Sequence, residues 1–257
     1  MHDLSYKEKH DRLAVRIRAH KEFANFDIDE WIAAFLRRCQ RRAIFDLGCG
    51  NGNHLHLYLD CVGPGGRVAG LDREATLIDQ AKHRYVNVDN LELRVGSMDV
   101  SLPFAASSFD TAFSNFAIYN AADPAFTLRE LKRLVQPGGE VVLIGPTINN
   151  ARELYAFNER LTGRAIDEVT LIRTDRLRRE IVPLACGIFA EVREEVINSQ
   201  LDFPSPEEFL RYYMATMLYE ESAEKEGRTQ TEMYDALDGA KEHIVLSKEM
   251  LAVIARG

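Results

Sequence analysis

The chain has 257 residues, 46% hydrophobic and 28% charged, which is enough apolar material to bury a core and excludes a wholly disordered polymer. Lysine and arginine total 32 against 40 aspartate and glutamate, and the net charge of −8 argues against a protein that tracks nucleic-acid phosphates. No run approaches the roughly 18 apolar residues of a membrane span, so no membrane partner is expected.

Residues 5–22 are strongly charged and read as an exposed helix, with Leu13, Val15 and Ile17 as its apolar minority. The charge in Met1–His20 rules out a signal peptide there. Residues 27–38 make a better helix. Asp27 or Asp29 can cap it, and Ile28, Trp31, Ile32 and Phe35 recur at i, i+3, i+4 and i+7. Arg37, Arg38, Arg41 and Arg42 are the densest basic patch and read as a solvated helix end. Cys39, Cys49, Cys61 and Cys186 lack C-x-x-C or zinc-ligand spacing. Plain thiols, no metal and a reduced cytoplasmic compartment are therefore expected.

From Ala43 the pattern changes. Short apolar runs at Ala43–Leu47, Arg67–Asp72, Leu91–Val95, Phe109–Asn115 and Glu140–Gly145 read as strands. Helical segments lie between them at Asn53–Cys61, Glu74–Tyr85 and 123–135. Asp123-Pro124 is a cap followed by a proline at the first helical position. Strands alternating with helices over about 100 residues predict βαβ units and a parallel sheet. The ligand crevice then lies at the carboxyl ends of the strands. After Pro146, residues 149–162, 167–181 and 204–219 read as helices, Phe189–Ser199 as a strand, and the charged 221–242 as helical. His243–Ala255 can be a helix or a last strand, and its two apolar runs favour the strand.

The strongest motif is Asp46-Leu47-Gly48-Cys49-Gly50-Asn51-Gly52, directly after the first strand. Glycines at alternate positions permit positive φ and let a ligand lie against the backbone. The helix that follows offers free N–H groups to a ligand carboxylate. G-x-G-x-G is not the G-x-G-x-x-G of a pyrophosphate site, so an amino-acid-bearing nucleoside suits it better than a dinucleotide. Asp72 ends the second strand, where an acidic side chain can accept hydrogen bonds from two ribose hydroxyls.

On these residues, 43–145 resembles the class I S-adenosylmethionine (SAM)-dependent methyltransferases, in the subgroup acting on small molecules. The resemblance implies an α/β, Rossmann-like fold: a mostly parallel seven-stranded sheet with helices on both faces. N-terminal helices and a helical insertion after the fifth strand would be added to it. It divides one integrated domain into an N-terminal helical cap (1–42), a SAM-binding core (43–145) and a segment that completes the sheet and covers the substrate (146–257). It implies that Asp46, Gly48, Gly50 and Asn51 hold the methionine moiety, and that Asp72 holds the ribose with Arg73 beside the adenosine. Met98 and Asp99, or Ser97 in place of Asp99, would hold the adenine. Asn115 and Phe116 would pass beside the sulfonium. Tyr119 stands where relatives often carry a pocket-facing histidine. With His243 it is a weak catalytic candidate, since no residue announces itself as a general base. His54 and His56 follow the glycine turn and read as surface histidines, with His54 placed so that it could touch the cofactor's carboxylate end.

The implied activity is in-line methyl transfer from SAM to an oxygen, nitrogen, sulfur or carbon nucleophile of a small acceptor. Tyr6, Phe23, Phe26, Glu207, Glu208, Tyr212 and Tyr213 are candidates for covering an aromatic or hydrophobic acceptor. A SAM-binding module without catalysis, and a methyltransferase acting on protein or RNA, remain alternatives. A dehydrogenase is disfavoured by the glycine spacing. Oligomeric state stays open, a homodimer included.

Overall fold

A computed structural model describes residues 10–165, 168–237 and 243–257. β1 (Ala43–Leu47), β2 (Arg67–Asp72), β3 (Leu91–Val95), β4 (Phe109–Asn115) and β5 (Val135–Pro146) run parallel. β6 (Glu191–Phe203) and β7 (Ile244–Arg256) pair antiparallel, and β7 runs antiparallel to β5. The order β3-β2-β1-β4-β5-β7-β6 builds one seven-stranded sheet. The chain moves outward from β1 to β3 and returns to β1's other side with β4. That reversal opens a crevice at the carboxyl ends of β1 and β4, where open α/β sheets take their ligands.

Alternation along the strands divides the core between the two faces. Phe45 and Leu47 of β1 pack on one face under α5 (Pro124–Leu134) and α8 (Val182–Ile188). Ile44 packs on the other, under α2 (Ile28–Leu36), α3 (Leu55–Val62) and α4 (Ala75–Arg84). Fully buried Phe45 and Phe113 each contribute about 2–3 kcal/mol by leaving water. The expected caps form: Asp27 accepts from Asp29 N, and Asp123 accepts from Phe126 N with Pro124 behind it.

A third apolar cluster sits beyond the sheet. It joins α1 (His10–Phe23), α6 (Arg152–Thr162) and α9 (Pro206–Met214) to the ends of β6 and β7 through Phe157, Leu201, Phe203, Phe209 and Leu246. α7 (Glu168–Thr174), α10 (Met217–Glu221) and α11 (Gln230–Asp235) are the remaining α-helices among the described residues.

Several expectations are corrected. Arg41 is no part of a solvated helix end, being only 2% exposed. Its guanidinium pairs with Glu140 at 2.7 Å and donates to Thr111 Oγ1 at 2.8 Å and Leu36 O at 2.8 Å. It ties the end of α2 to β4 and β5. Arg38 does stay at the surface, against Glu195. The helix expected over 167–181 forms from Glu168 but is irregular: α7 ends at Thr174, Leu177–Ile181 is π-helical, and α8 carries the helix on to Ile188. The helix over 204–219 breaks at Ala215-Thr216, because the Thr216 side chain caps α10 by accepting from Tyr219 N. Within 221–242, residues 222–227 form turns and α11 begins at a capping box of Thr229 and Glu232. The expected strand at Phe189–Ser199 forms but extends to Phe203, and His243–Ala255 is indeed a strand from Ile244. Residues 5–9 of the first expected helix, 166–167, and 238–242 lie outside the described residues.

Candidate functional site

The turn after β1 takes its shape from its glycines. Gly48, Gly50 and Gly52 have φ of 76°, 53° and 80°. At Gly48 a second constraint applies: a Cβ there would lie 2.2 Å from Ala117 Cβ. The turn therefore crosses directly against the loop that leaves β4. Gly48 N and Cys49 N both donate to Leu71 O, at 2.7 and 3.2 Å, which pins the turn to β2.

Asp72 closes β2 on the far side of this turn. Its Oδ2 accepts from Gly50 N at 2.8 Å and its Oδ1 from Glu74 N at 2.9 Å. The carboxylate is thus oriented by backbone donors from both flanking segments. Arg73 lines the same cavity, with its guanidinium 3.4 Å from Glu74.

Two buried oxygens beside the turn have no hydrogen-bond partner, Asp46 Oδ1 and Asn115 Oδ1. Asn115 directs its Nδ2 to Tyr58 Oη at 2.7 Å, which leaves its oxygen turned away from that bond. Burial pushes the Asp46 carboxyl up to about 7; His54 opposes the rise and Asp72 adds to it. Buried acceptors without donors are uncommon in folded proteins and mark places where a polar ligand can supply the donor.

Ser97, Met98 and Asp99 follow β3 and line the cavity. Asp99 Oδ1 accepts from Ala122 N at 2.7 Å, and Ser97 Oγ accepts from Asp99 N at 3.1 Å. The second carboxylate oxygen of Asp99 is left with a 3.5 Å contact to Ser97 Oγ. Phe116 follows β4 with φ of 55°, a conformation that strains a bulky side chain, and its N–H donates to Ile144 O at 2.7 Å. It is 36% exposed and faces the cavity. Such strain tends to gather at ligand sites. Tyr119 lines the cavity too, and burial pushes its phenol up to about 12.

These segments meet at one cavity of about 580 Å³, within the size range of small-molecule sites. Of the residues singled out in the sequence, Gly48, Gly50, Asn51, Asp72, Arg73, Met98, Asp99, Asn115, Phe116 and Tyr119 all line it. Asp46 lies against it, buried behind the turn. His243 does not line it: its ring sits 2.9 Å from Asp202 at the start of β7, so the structure gives that residue no place in the chemistry. His54 lines the cavity, but its Nδ1 lies 2.8 Å from Asp29 Oδ1. Burial works most strongly against charge on Asp29, but the His54 bond together with the charges of His54, His56 and Lys21 outweighs it and holds the carboxyl below its usual range. The pair clamps the start of α2 to the glycine turn. His56 is turned to Asn53 O, away from the cavity.

The aromatic segment around α9 divides. Phe209 and Tyr213 are core, with Tyr213 Oη donating to Asn158 at 2.6 Å. Tyr212 faces the cavity. Phe26 lines it and Phe23 packs in the third apolar cluster, while Tyr6 lies outside the described residues. Sequence reasoning missed Arg16 and His20 of α1, Tyr155 of α6, Arg173 of α7 and Lys248 of β7, all in the lining. A lysine between inward-facing Leu246 and Met250 was the one available signal, and it required certainty that this segment is a strand.

Residues 40–174 match the model of a family described as a methyltransferase domain. The demethylmenaquinone methyltransferase of Staphylococcus aureus is 27% identical over 174 residues, 65% of this chain and 64% of that protein. An uncharacterized 37.1 kDa protein in transposon TN4556 of Streptomyces fradiae is 37% identical over 101 residues, 39% of this chain and 29% of that protein. The chain thus spans less than two thirds of either relative's length. The YcgJ protein from Bacillus subtilis shares the fold, with a TM-score of 0.56 at 14% identity over 89% of this chain and 98% of that one. The sheet order, the glycine turn and the family match agree, and S-adenosylmethionine is the cofactor they specify. The chain belongs to the class I SAM-dependent methyltransferases.

Proposed function

We propose that this protein transfers the methyl group of SAM to a small-molecule acceptor held in the same cavity as the cofactor. One observation carries this reading. The cavity continues past the cofactor loops into a chamber walled by α1, α6, α7, α10 and β7. A chamber walled in this way, within a cavity of about 580 Å³, suits a compact molecule better than a folded protein or an RNA strand.

The residues present fit the cofactor. The unpartnered oxygens of Asp46 and Asn115 suit donors on its amino-acid end, and Gly48 lets the turn close against Ala117 beside them. Asp72 is assigned to the ribose hydroxyls, Asp99 to the adenine amine, and Met98 to the apolar wall against Gly48. When bound, SAM supplies a methyl group already activated by its sulfonium. The protein then contributes alignment and exclusion of water. Phe116 and Tyr119 stand where the cofactor loops meet the acceptor chamber and set the approach of the nucleophile. With its phenol pushed up to about 12, Tyr119 serves as a hydrogen-bond donor rather than as a base. Four unpaired thiols, two of them exposed, support a reducing compartment such as the cytoplasm.

The test is methyl transfer from isotopically labelled SAM to a panel of phenols, amines, thiols and carboxylic acids, run beside total protein and total RNA. Label in a small-molecule product supports the proposal. Label found solely in polymer refutes it, and label in neither favours a module that binds SAM without catalysis.

A further inference from the structure

The acceptor chamber has a charge pattern that its catalytic reading does not explain. Among the described residues, every carboxylate in the cavity lining belongs to the start of α2, to the end of β2 or to the loops after β2 and β3. The opposite end draws Arg16 from α1, Arg173 from α7 and Lys248 from β7, with His20 among them and no carboxylate in the lining. Arg16 and Arg173 lie near enough to the Tyr119 hydroxyl that both oppose the rise that burial gives its pKa.

Lys248 is the sharpest feature of this wall. It is 8% exposed, on the inward face of β7 between Leu246 and Met250. Among the described residues its one hydrogen bond is a long one, 3.5 Å from Nζ to Tyr212 Oη, and no carboxylate lies within ion-pair distance. Arg173 is different, because Glu221 already engages it at 3.1 Å. A buried amine without a counter-charge is costly unless another group completes it. His20 shows the sign of the local field. Enclosure by the chamber walls drives its pKa down to about 3, and Lys248 and Arg16 push the same way.

We propose that the acceptor carries an oxyanion, a carboxylate or a phosphate, and that Lys248 and Tyr212 bind it as a recognition handle apart from the methylated atom. Arg16 and Arg173 supply the surrounding positive field. The aromatic rings of Tyr119 and Tyr212 favour a flat body on the same molecule. The acceptor class is thus a small aromatic or hydrophobic acid. This inference rests on the reading of a small-molecule acceptor given above.

Calorimetry in saturating S-adenosylhomocysteine tests it with three matched probes: 4-hydroxybenzoate, phenyl phosphate and neutral 4-hydroxybenzamide. At least one anion should bind roughly tenfold or more tightly than the amide, the scale of one charge-assisted hydrogen bond. Which anion wins identifies the oxyanion. Lys248→Met should abolish the preference and Lys248→Arg should keep it, with S-adenosylhomocysteine affinity unchanged in both as the control for folding. Amide binding as tight as both anions, binding of neither anion at millimolar concentration, or a preference that survives Lys248→Met overturns the proposal. None of these results touches the small-molecule reading, which falls separately if label from SAM reaches polymer alone.

Discussion

Substituting Gly48 by alanine separates two demands that the glycine turn makes at one position. The first is conformational: φ of 76° is left-handed, and an L-residue there costs about 1–2 kcal/mol. The second is steric: the new methyl would lie 2.2 Å from Ala117 Cβ, and both carbons belong to backbone-anchored groups with no rotamer to escape into. Forcing such overpacking costs typically about 1–3 kcal/mol. Gly138 is the matched control, with φ of 78° and nothing within 4 Å of its added Cβ. Gly48→Ala should therefore lose about 3.5 kcal/mol and Gly138→Ala about 1.5 kcal/mol by these magnitudes. At roughly 3 °C per kcal/mol for a domain of this size, the two melting temperatures should differ by about 6 °C. Differential scanning calorimetry without ligand gives the stabilities, and titration with S-adenosylhomocysteine gives the binding cost. That affinity should fall at least tenfold for Gly48→Ala and stay unchanged for Gly138→Ala. Equal melting temperatures would show that the contact with Ala117 relaxes freely and that the close crossing of turn and loop is unimportant.

Two further outcomes follow from the same site. Asp72→Ala removes the acceptor for Gly50 N and the proposed ribose ligand, so S-adenosylhomocysteine affinity should drop tenfold or more, with Asp72→Asn intermediate; unchanged affinity in calorimetry would end the ribose assignment. Asp46 gives a pH signature. Its folded pKa of about 7 lies above its ordinary 3.8, so the folded state keeps a proton that the unfolded state has lost. This group's contribution to stability therefore declines as pH rises through that window. Asp46→Asn should gain melting temperature over the parent protein at about pH 7 relative to its standing at about pH 5, which lies inside that window, in scans without ligand. An equal difference at the two pH values would show that Asp46 is ionised throughout.

The cofactor half of the molecule was legible in sequence because its signals are local. β1 to β5 are short apolar runs bounded by turn residues, and Gly48, Gly50 and Asp72 occupy positions fixed by backbone geometry. The acceptor half resisted because its determinants are long-range. Arg41 looked like one of four surface arginines, yet Glu140, 99 residues away, draws it inside. Tyr212 and Tyr213 are neighbours on one helix, and only packing assigns one to the chamber and the other to Asn158. The helix over 204–219 breaks because a threonine cap at Thr216 competes with continuation, a local choice that apolar periodicity hides. Lys248 was invisible until β7 was certain, since in a helix its side chain would have had other neighbours.

The length of β7 has its own consequence. Its pairing with β5 ends at Met250 opposite Pro146, while its pairing with β6 continues to Ile244. Lys248 therefore stands on a two-stranded ribbon, two residues or about 7 Å past the last rung shared with the parallel sheet. The spacing between the chamber's cationic wall and the strands that carry the cofactor loops is thus set by a ladder and comes in steps. A two-residue change in the ribbon would lengthen or shorten the chamber with its chemistry intact. A one-residue slip would turn Lys248 outward and bring Ser247 or Glu249 inward, exchanging a cation for a hydroxyl or an anion.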